Sequence, residues 1–187
     1  MSSAVEAPMR ADAARNRARV LRAAMEVFND DGIDAGVDQI AQRAGVGVGT
    51  LYRRFPTKEA LIGYLVDEMI TTMEDSAAAS LQLPGGRGLE THLRTAADMF
   101  AVNRGCLPRL WAHSSPEQQA DQRARLSQLL QAAIDAGAVR ADTTLPDVLA
   151  TLWAMRGIIE SAGDDAAQSC RRHLDLVLTG LRASMTS

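Results

Sequence analysis

A chain of 187 residues, 47% apolar and 4% aromatic, is long enough to bury a real core, as one domain or as a small domain fused to a larger one. Its formal charge of −3 hides an asymmetry: through Tyr64 nine basic side chains face eight acidic ones, whereas from Leu65 onward eleven face fifteen, a small cationic head on an acidic body. Cys106 and Cys170 lie far apart without metal-ligand spacing, and MSSAVEAPM lacks the basic start and apolar run of a secretory signal. No segment approaches the uncharged length that spans a bilayer, so reduced buried thiols, a cytoplasmic location and no membrane partner are expected.

Taken in order, every long segment with a clear period reads as helix, because apolar residues recur at three and four. Val20, Leu21, Ala24, Val27 and Phe28 form a first stripe, stopped by Asn29-Asp30-Asp31-Gly32. Arg10, Arg15, Arg17, Arg19 and Arg22 face only Asp12 locally, either as a solvated helix face or as an arm reaching a polyanion. Val37, Ile40, Ala41 and Ala44 make a second, short stripe ending at Gly45, and Val48, Leu51 and Phe55 point a third helix inward before Pro56 ends it. Thr57 caps a fourth carrying Leu61, Ile62, Leu65, Val66, Met69, Ile70 and Met73.

Leu83-Pro84-Gly85-Gly86-Arg87-Gly88 is a loop, and Leu89, Leu93, Ala96, Ala97 and Phe100 form the next stripe. Cys106 to His113 reads as a connector helix interrupted by Pro108. Ser115-Pro116-Glu117-Gln118 has a capping-box layout and opens a helix that stops at Gly137. Thr144 opens another, with Val148, Leu149, Leu152, Trp153 and Ile159, and the last uses Cys170, Leu174, Val177, Leu178 and Leu181 behind an Asp164-Asp165 cap. The expected fold is all-α, about nine helices, with no internal repeat.

The segment AGVGVGTLYRRFPTK, residues 44–58, invites a nucleotide-loop reading that its context rejects. A dinucleotide fingerprint follows a strand and needs a third glycine at fixed spacing, and a phosphate loop needs Gly-Lys before its Ser or Thr. Two short helices joined by a tight glycine turn are instead a helix-turn-helix. Gly47 and Gly49 leave the start of the second helix bare, and its outward face carries Thr50, Tyr52 and Arg53, side chains able to reach bases or phosphates in a major groove.

GIDAGVDQIAQRAGVGVGTLYRRFPTKEAL, residues 32–61, resembles the DNA-binding region of the tetracycline-repressor (TetR) family of transcriptional regulators. The resemblance rests on Ile40-Ala41, Ala44-Gly45-Val46, Gly49-Thr50-Leu51-Tyr52, Phe55 and Lys58-Glu59, and covers about a third of the chain. It implies a disordered tail over 1–9, a helix-turn-helix domain over 10–57, and an effector-binding and dimerisation body over 58–187. It implies as partners a double-stranded, pseudo-palindromic DNA operator, a second copy of the chain and a small-molecule effector. The DNA-binding set is then Arg15, Arg19, Gln39, Gly47, Val48, Gly49, Thr50, Tyr52, Arg53 and Lys58, the chain's only lysine, with Arg54 turned toward the acids of helix one. Gly36 and Gly47 stand where the family commonly has Ser or Thr, which removes two side-chain caps and two phosphate contacts.

In the body the resemblance reaches only helix count and the turn Ala136 to Asp142, so no ligand identity follows from it. A pocket is expected among large adaptable side chains, Met69, Met73, Met99, Phe100, Trp111 and Trp153, each of which also suits ordinary core packing. Arg156 fits an anionic effector, a snorkelling arginine or an ion pair across a dimer. By the family pattern the last two helices form the dimer face, here Leu149, Gly157, Leu174, Leu178 and Leu181, although the same stripes suit a monomer's core. His92, His113 and His173 have no metal-ligand spacing and no nucleophile motif is present, so no enzyme activity and no cofactor are expected. A DNA-organising helix-turn-helix protein without an effector remains the alternative.

Overall fold

The computed structural model describes the backbone of residues 6–182, and the side chains of 15–182 apart from those of Trp111 and Asp164. Among these residues nine α-helices follow one another: α1 Glu6–Asp31, α2 Val37–Ala44, α3 Val48–Arg54, α4 Lys58–Leu81, α5 Gly88–Val102, α6 Leu107–His113, α7 Pro116–Asp135, α8 Leu145–Ser161 and α9 Ala166–Leu181. Two 3-10 turns, Arg104–Cys106 and Gly163–Asp165, precede α6 and α9. The described residues contain no strand, only an isolated antiparallel bridge between Val139 and Arg182.

The helix ends follow from their residues. Gly45 closes α2 with φ 64°, a left-handed value that suits a residue without Cβ, and the next amide, of Val46, donates to the Ala41 carbonyl at 3.0 Å. Thr57 Oγ1 accepts from the Ala60 amide at 3.0 Å at the start of α4. Ser115 and Gln118 satisfy one another's amides at the start of α7, at 3.2 and 2.8 Å.

Three expectations change. Glu6–Met9 belong to α1, while residues 1–5 of the expected tail, like residues 183–187, lie outside the described residues. Pro108 sits in the first turn of α6 instead of interrupting it, where its missing N–H removes no helical bond. Asp165 makes no side-chain cap on α9, and the Asp164 side chain is outside the described set.

One continuous core runs from head to body. Val20, Ala24, Val27 and Phe28 of α1 pack with Ile40 and Ala41 of α2 and Leu51 of α3, and the cluster continues through Leu61, Leu65 and Val66 of α4. It then passes into α5, α7, α8 and α9 through Leu93, Leu129, Met155 and Leu174. Each such large apolar side chain contributes roughly 1.5–3 kcal/mol on burial.

The end of α1 is clasped by the chain leaving α5. Asn29 Nδ2 donates to the Val102 carbonyl at 2.7 Å, its Oδ1 accepts from the Gly105 amide at 2.8 Å, and Arg104 Nε donates to the Asn29 carbonyl at 3.0 Å. The backbones approach so closely that a Cβ on Gly105 would lie inside van der Waals contact with the Phe28 carbonyl. Gly105→Ala is therefore expected to lower stability by about 1–3 kcal/mol, the range for overpacking a rigid site. Urea unfolding monitored by circular dichroism reads this directly, and an unchanged midpoint would show that the joint yields.

Candidate nucleic-acid interface and body cavity

In the head, Leu51 and Phe55 are buried and fix the orientation of α3, and Gly49, Tyr52, Arg53 and Arg54 face solvent, with Tyr52 44% exposed. Arg53 Nη2 donates to Thr50 Oγ1 at 3.1 Å, which places the two expected base-reading groups together. Val48 departs from the inward position read from the stripe and is 37% exposed. It is the first residue of a short helix, where Cβ tilts back toward the N-terminus and off the packed face.

The basic side chains divide into two groups. Arg19 is committed inside the head: Nη2 donates to the Ala44 and Gly45 carbonyls at 3.0 and 3.1 Å, capping the C-terminal end of α2. The Arg17 guanidinium lies 4.0 Å from the Tyr64 ring centroid and joins α1 to α4, while the Tyr64 hydroxyl, held above its ordinary pKa mainly by its hydrogen bond to Glu68, is tied within α4. The residue that meets the acids of α1 is Arg43, 3.5 Å from both Glu26 and Asp30, and not Arg54. Gln39 Oε1 accepts from the Gly36 amide at 2.9 Å, so Gln39 braces the start of α2 and keeps its amide hydrogens for an outside acceptor. Arg15 is exposed on α1, and Lys58, half-buried at the start of α4, stands 5.9 Å from the ring centroid of Phe28.

The body holds a cavity between α4, α5, α6, α7 and α8. Its buried walls are Met73, Ala77, His92, Met99, Phe100, Leu126 and Leu152, and toward solvent it is lined by Gln118, Gln122, Arg123, Arg125, Trp153 and Arg156, with Glu74 on the α4 side. The cavity volume is about 60 Å³, above the roughly 10–15 Å³ needed to hold a water. Of the expected pocket residues, Met73, Met99, Phe100, Trp153 and Arg156 line it; Met69 is in the core and is not among its walls, and the Trp111 side chain is outside the described residues. Arg156 donates from Nε to Glu160 one turn along α8, at 2.7 Å.

Sequence reading weighed His92 only as a metal ligand or catalytic group and left it out of the pocket, although its place on the Leu89-Leu93-Ala96 stripe was the signal. The ring is 1% exposed, its Nδ1 lies 3.1 Å from Ser76 Oγ, and its buried Nε2 has no hydrogen-bond partner among the described residues. Burial pushes its pKa down to about 4, so the ring is neutral near pH 7.

The expected dimer residues are largely spent within one subunit. Leu174 and Leu178 are buried in its core, Leu149 lines the cavity and Leu181 is half-buried, which leaves Gly157 as the one fully on the outer surface. The α8–α9 surface exposes instead Trp153, at 52%, and Leu176, at 64%. No helix among the described residues is long and apolar enough to cross a membrane, and none of their His, Cys, Asp and Glu side chains form a group of three able to hold a metal.

A short outward-facing helix locked over a second by a glycine turn, at the head of an all-helical body, defines a helix-turn-helix regulator. Residues 20–65 match the model of bacterial regulatory proteins of the tetR family, and residues 84–183 match the C-terminal domain of SbtR-like transcriptional regulators. A TetR transcriptional regulator of Streptomyces coelicolor and a TetR transcription regulatory protein of Mycobacterium vanbaalenii are each 34% identical at TM-score 0.66; the matches cover 90% and 94% of this chain, and 99% and 100% of theirs. An HTH-type transcriptional regulator of Staphylococcus aureus (strain bovine RF122 / ET3-1) is 37% identical over 65 residues, so the chain spans only 35% of that relative's length. The chain belongs to the TetR family of transcriptional regulators and carries its helix-turn-helix DNA-binding domain.

The buried histidine sets a pH dependence. The folded ring takes up its proton near pH 4 and an unfolded histidine near 6.5, so between these values the unfolded chain binds more protons. Stability from this group is complete above about pH 6.5 and is lost as pH falls toward 4, by up to roughly 3 kcal/mol. His92→Leu is expected to flatten that part of the profile of melting temperature against pH. A slope as steep as the parent's would assign the effect to other groups.

Proposed function

We propose that the chain is a homodimeric repressor that holds a pseudo-palindromic DNA operator and releases it when a small molecule enters the body cavity. The observation that carries the DNA half is the outward face of α3, where Thr50, Tyr52 and Arg53 stand on a helix anchored by buried Leu51 and Phe55, with Lys58 nearby at the start of α4. Arg53 and Thr50 read bases, and Tyr52, Lys58 and the amide hydrogens of Gln39 meet phosphates, with Arg15 reaching the backbone from α1. Two such helices roughly 34–36 Å apart enter successive major grooves.

The effector half rests on where the cavity walls lie. Met73 and Ala77 are on α4, whose first residue is Lys58, and Met99 and Phe100 are on α5, which leads into the clasp on Asn29. A ligand larger than the present space displaces one of these helices and with it the head. The coupling is reciprocal: operator binding weakens effector binding by the same factor.

Gel shifts across a salt series test the DNA reading. Tyr52→Ala and Lys58→Ala are expected to weaken binding to specific and random DNA alike, Lys58→Ala with a salt slope shallower by about 1 and the uncharged Tyr52 with the slope unchanged, whereas Arg53→Ala also relaxes preference at a base position by about 1–3 kcal/mol. Operator binding like the parent's in all three variants would sink the assignment of α3. The dimer reading places Leu176 and Gly157 at the interface, so Leu176→Asp is expected to sediment as a monomer and to lose operator affinity. Sedimentation unchanged from the parent would remove this face of α9 from the contact.

A further inference from the structure

Resting on the effector reading of the cavity, we propose the chemical class of the effector: a slender apolar molecule with a hydroxyl at its inner end and a carboxylate at its outer end. The inner end is specified by His92. The His92 ring is 1% exposed and lines the cavity with methionine, phenylalanine and leucine side chains; its Nε2, closed to solvent, has no hydrogen-bond partner among the described residues, a desolvation penalty that a ligand atom brought up to it would relieve. The ring is anchored from its other nitrogen by Ser76, which fixes where Nε2 stands. If Nδ1 donates to Ser76 Oγ, Nε2 is an acceptor; if Ser76 donates to Nδ1, Nε2 carries the hydrogen. A hydroxyl both donates and accepts, so it completes either tautomer. A carboxylate can only accept, and at this apolar depth it would bury a charge beside a neutral ring.

The outer end is specified by charge. Arg123, Arg125 and Arg156 line the solvent side against one carboxylate of the lining, Glu74, in a body that is otherwise acidic. Arg123 and Arg125 meet no carboxylate among the described residues, and Glu160 occupies only Nε of Arg156, leaving its terminal nitrogens for a second acceptor. Guanidinium groups match a carboxylate in geometry as well as charge. The present space, about 60 Å³, is smaller than the roughly 150 Å³ that holds a benzene ring, so a chain or a single ring enters only as Met73 and Met99 give way.

Isothermal titration of the full chain with matched probes tests this. The series is ω-hydroxy fatty acids of about six to twelve carbons, the fatty acids without the hydroxyl, the diols without the carboxylate, and the pair 3-(4-hydroxyphenyl)propanoate and 3-phenylpropanoate. The best hydroxy acid is expected to bind roughly tenfold tighter than either partner lacking one end, the discrimination seen when a buried polar group is left unpaired. His92→Leu is expected to erase the preference for the hydroxyl while retaining that for the carboxylate, and Arg156→Gln combined with Arg123→Gln the reverse. Ser76→Ala, which leaves the ring in place but unanchored, is expected to reduce the hydroxyl preference and keeps the test open should the leucine variant fold poorly.

Tight binding of apolar molecules irrespective of their ends, unchanged in His92→Leu, would overturn the proposal and leave the effector cavity standing. If no probe binds, the proposal also falls. A broad thermal-shift screen, with operator release as its readout, then decides the effector reading separately, and it fails if no compound both stabilises the chain and frees the DNA.

Discussion

The joint between the end of α1 and the chain after α5 constrains everything else. A helix leaves its last carbonyls without internal partners, and here one of them, that of Asn29, receives a guanidinium from Arg104 while the Asn29 side chain takes up the Val102 carbonyl and the Gly105 amide. The contact is therefore backbone against backbone, directed by three hydrogen bonds and admitting only glycine at position 105. Phe28, whose carbonyl sits against that glycine, is also buried beneath the head and faced by Lys58. A single turn of α1 thus belongs to both parts of the molecule, and the core has no gap at the boundary drawn after residue 57.

The same accounting of unsatisfied groups explains which cations remain for a partner. Arg19 is spent on the carbonyls that end α2, Arg17 on the face of Tyr64, and Arg43 on the two acids of α1. Each is worth little alone at an exposed site, yet together they orient α1, α2 and α4 around α3. Counting arginines along the first helix overstates its outward charge, since an arginine over a helix end serves as a cap as readily as it serves a phosphate. The glycines at 36 and 47 sharpen this division: the start of α2 is braced by Gln39 accepting from the Gly36 amide, while α3 begins at Gly47 with no side-chain cap.

The sequence disclosed the elements better than it disclosed which face of each does what. Gly45, Thr57, Ser115 and Pro116 mark helix ends through local chemistry that tertiary packing did not override. A stripe of apolar residues says only that a face is covered, and not by what. Leu174 and Leu178 fit a dimer interface and a subunit core equally well on α9, and the core holds them, while Leu176, off the stripe, is the exposed one. Val48 was misread because a three-and-four spacing assumes a full turn of helix on either side, which α3 lacks. His92 shows the complementary blindness: on a stripe a histidine reads as tolerated core, and only three dimensions reveal that one ring nitrogen is answered by Ser76 and the other by nothing among the described residues.

That unanswered nitrogen and the clasp at Asn29 belong to one mechanical problem. His92, Met99 and Phe100 lie on α5, which runs directly into Val102 and Gly105, and so the proposed ligand, seated on His92, would press on the helix that holds the end of α1. Opposite it, Met73 and Ala77 lie on α4, whose first residue enters the head. A cavity wedged between these two helices has little freedom to widen without rotating one against the other, because packed interiors shift between discrete arrangements more readily than they stretch. Since Gly105 and Phe28 are already in backbone contact, the clasp would transmit such a rotation as displacement of α1, with the methionines on both walls as the compliant part. In the proposed regulator the strength of the coupling is then set by how much of a ligand's volume Met73 and Met99 absorb before α4 and α5 must move.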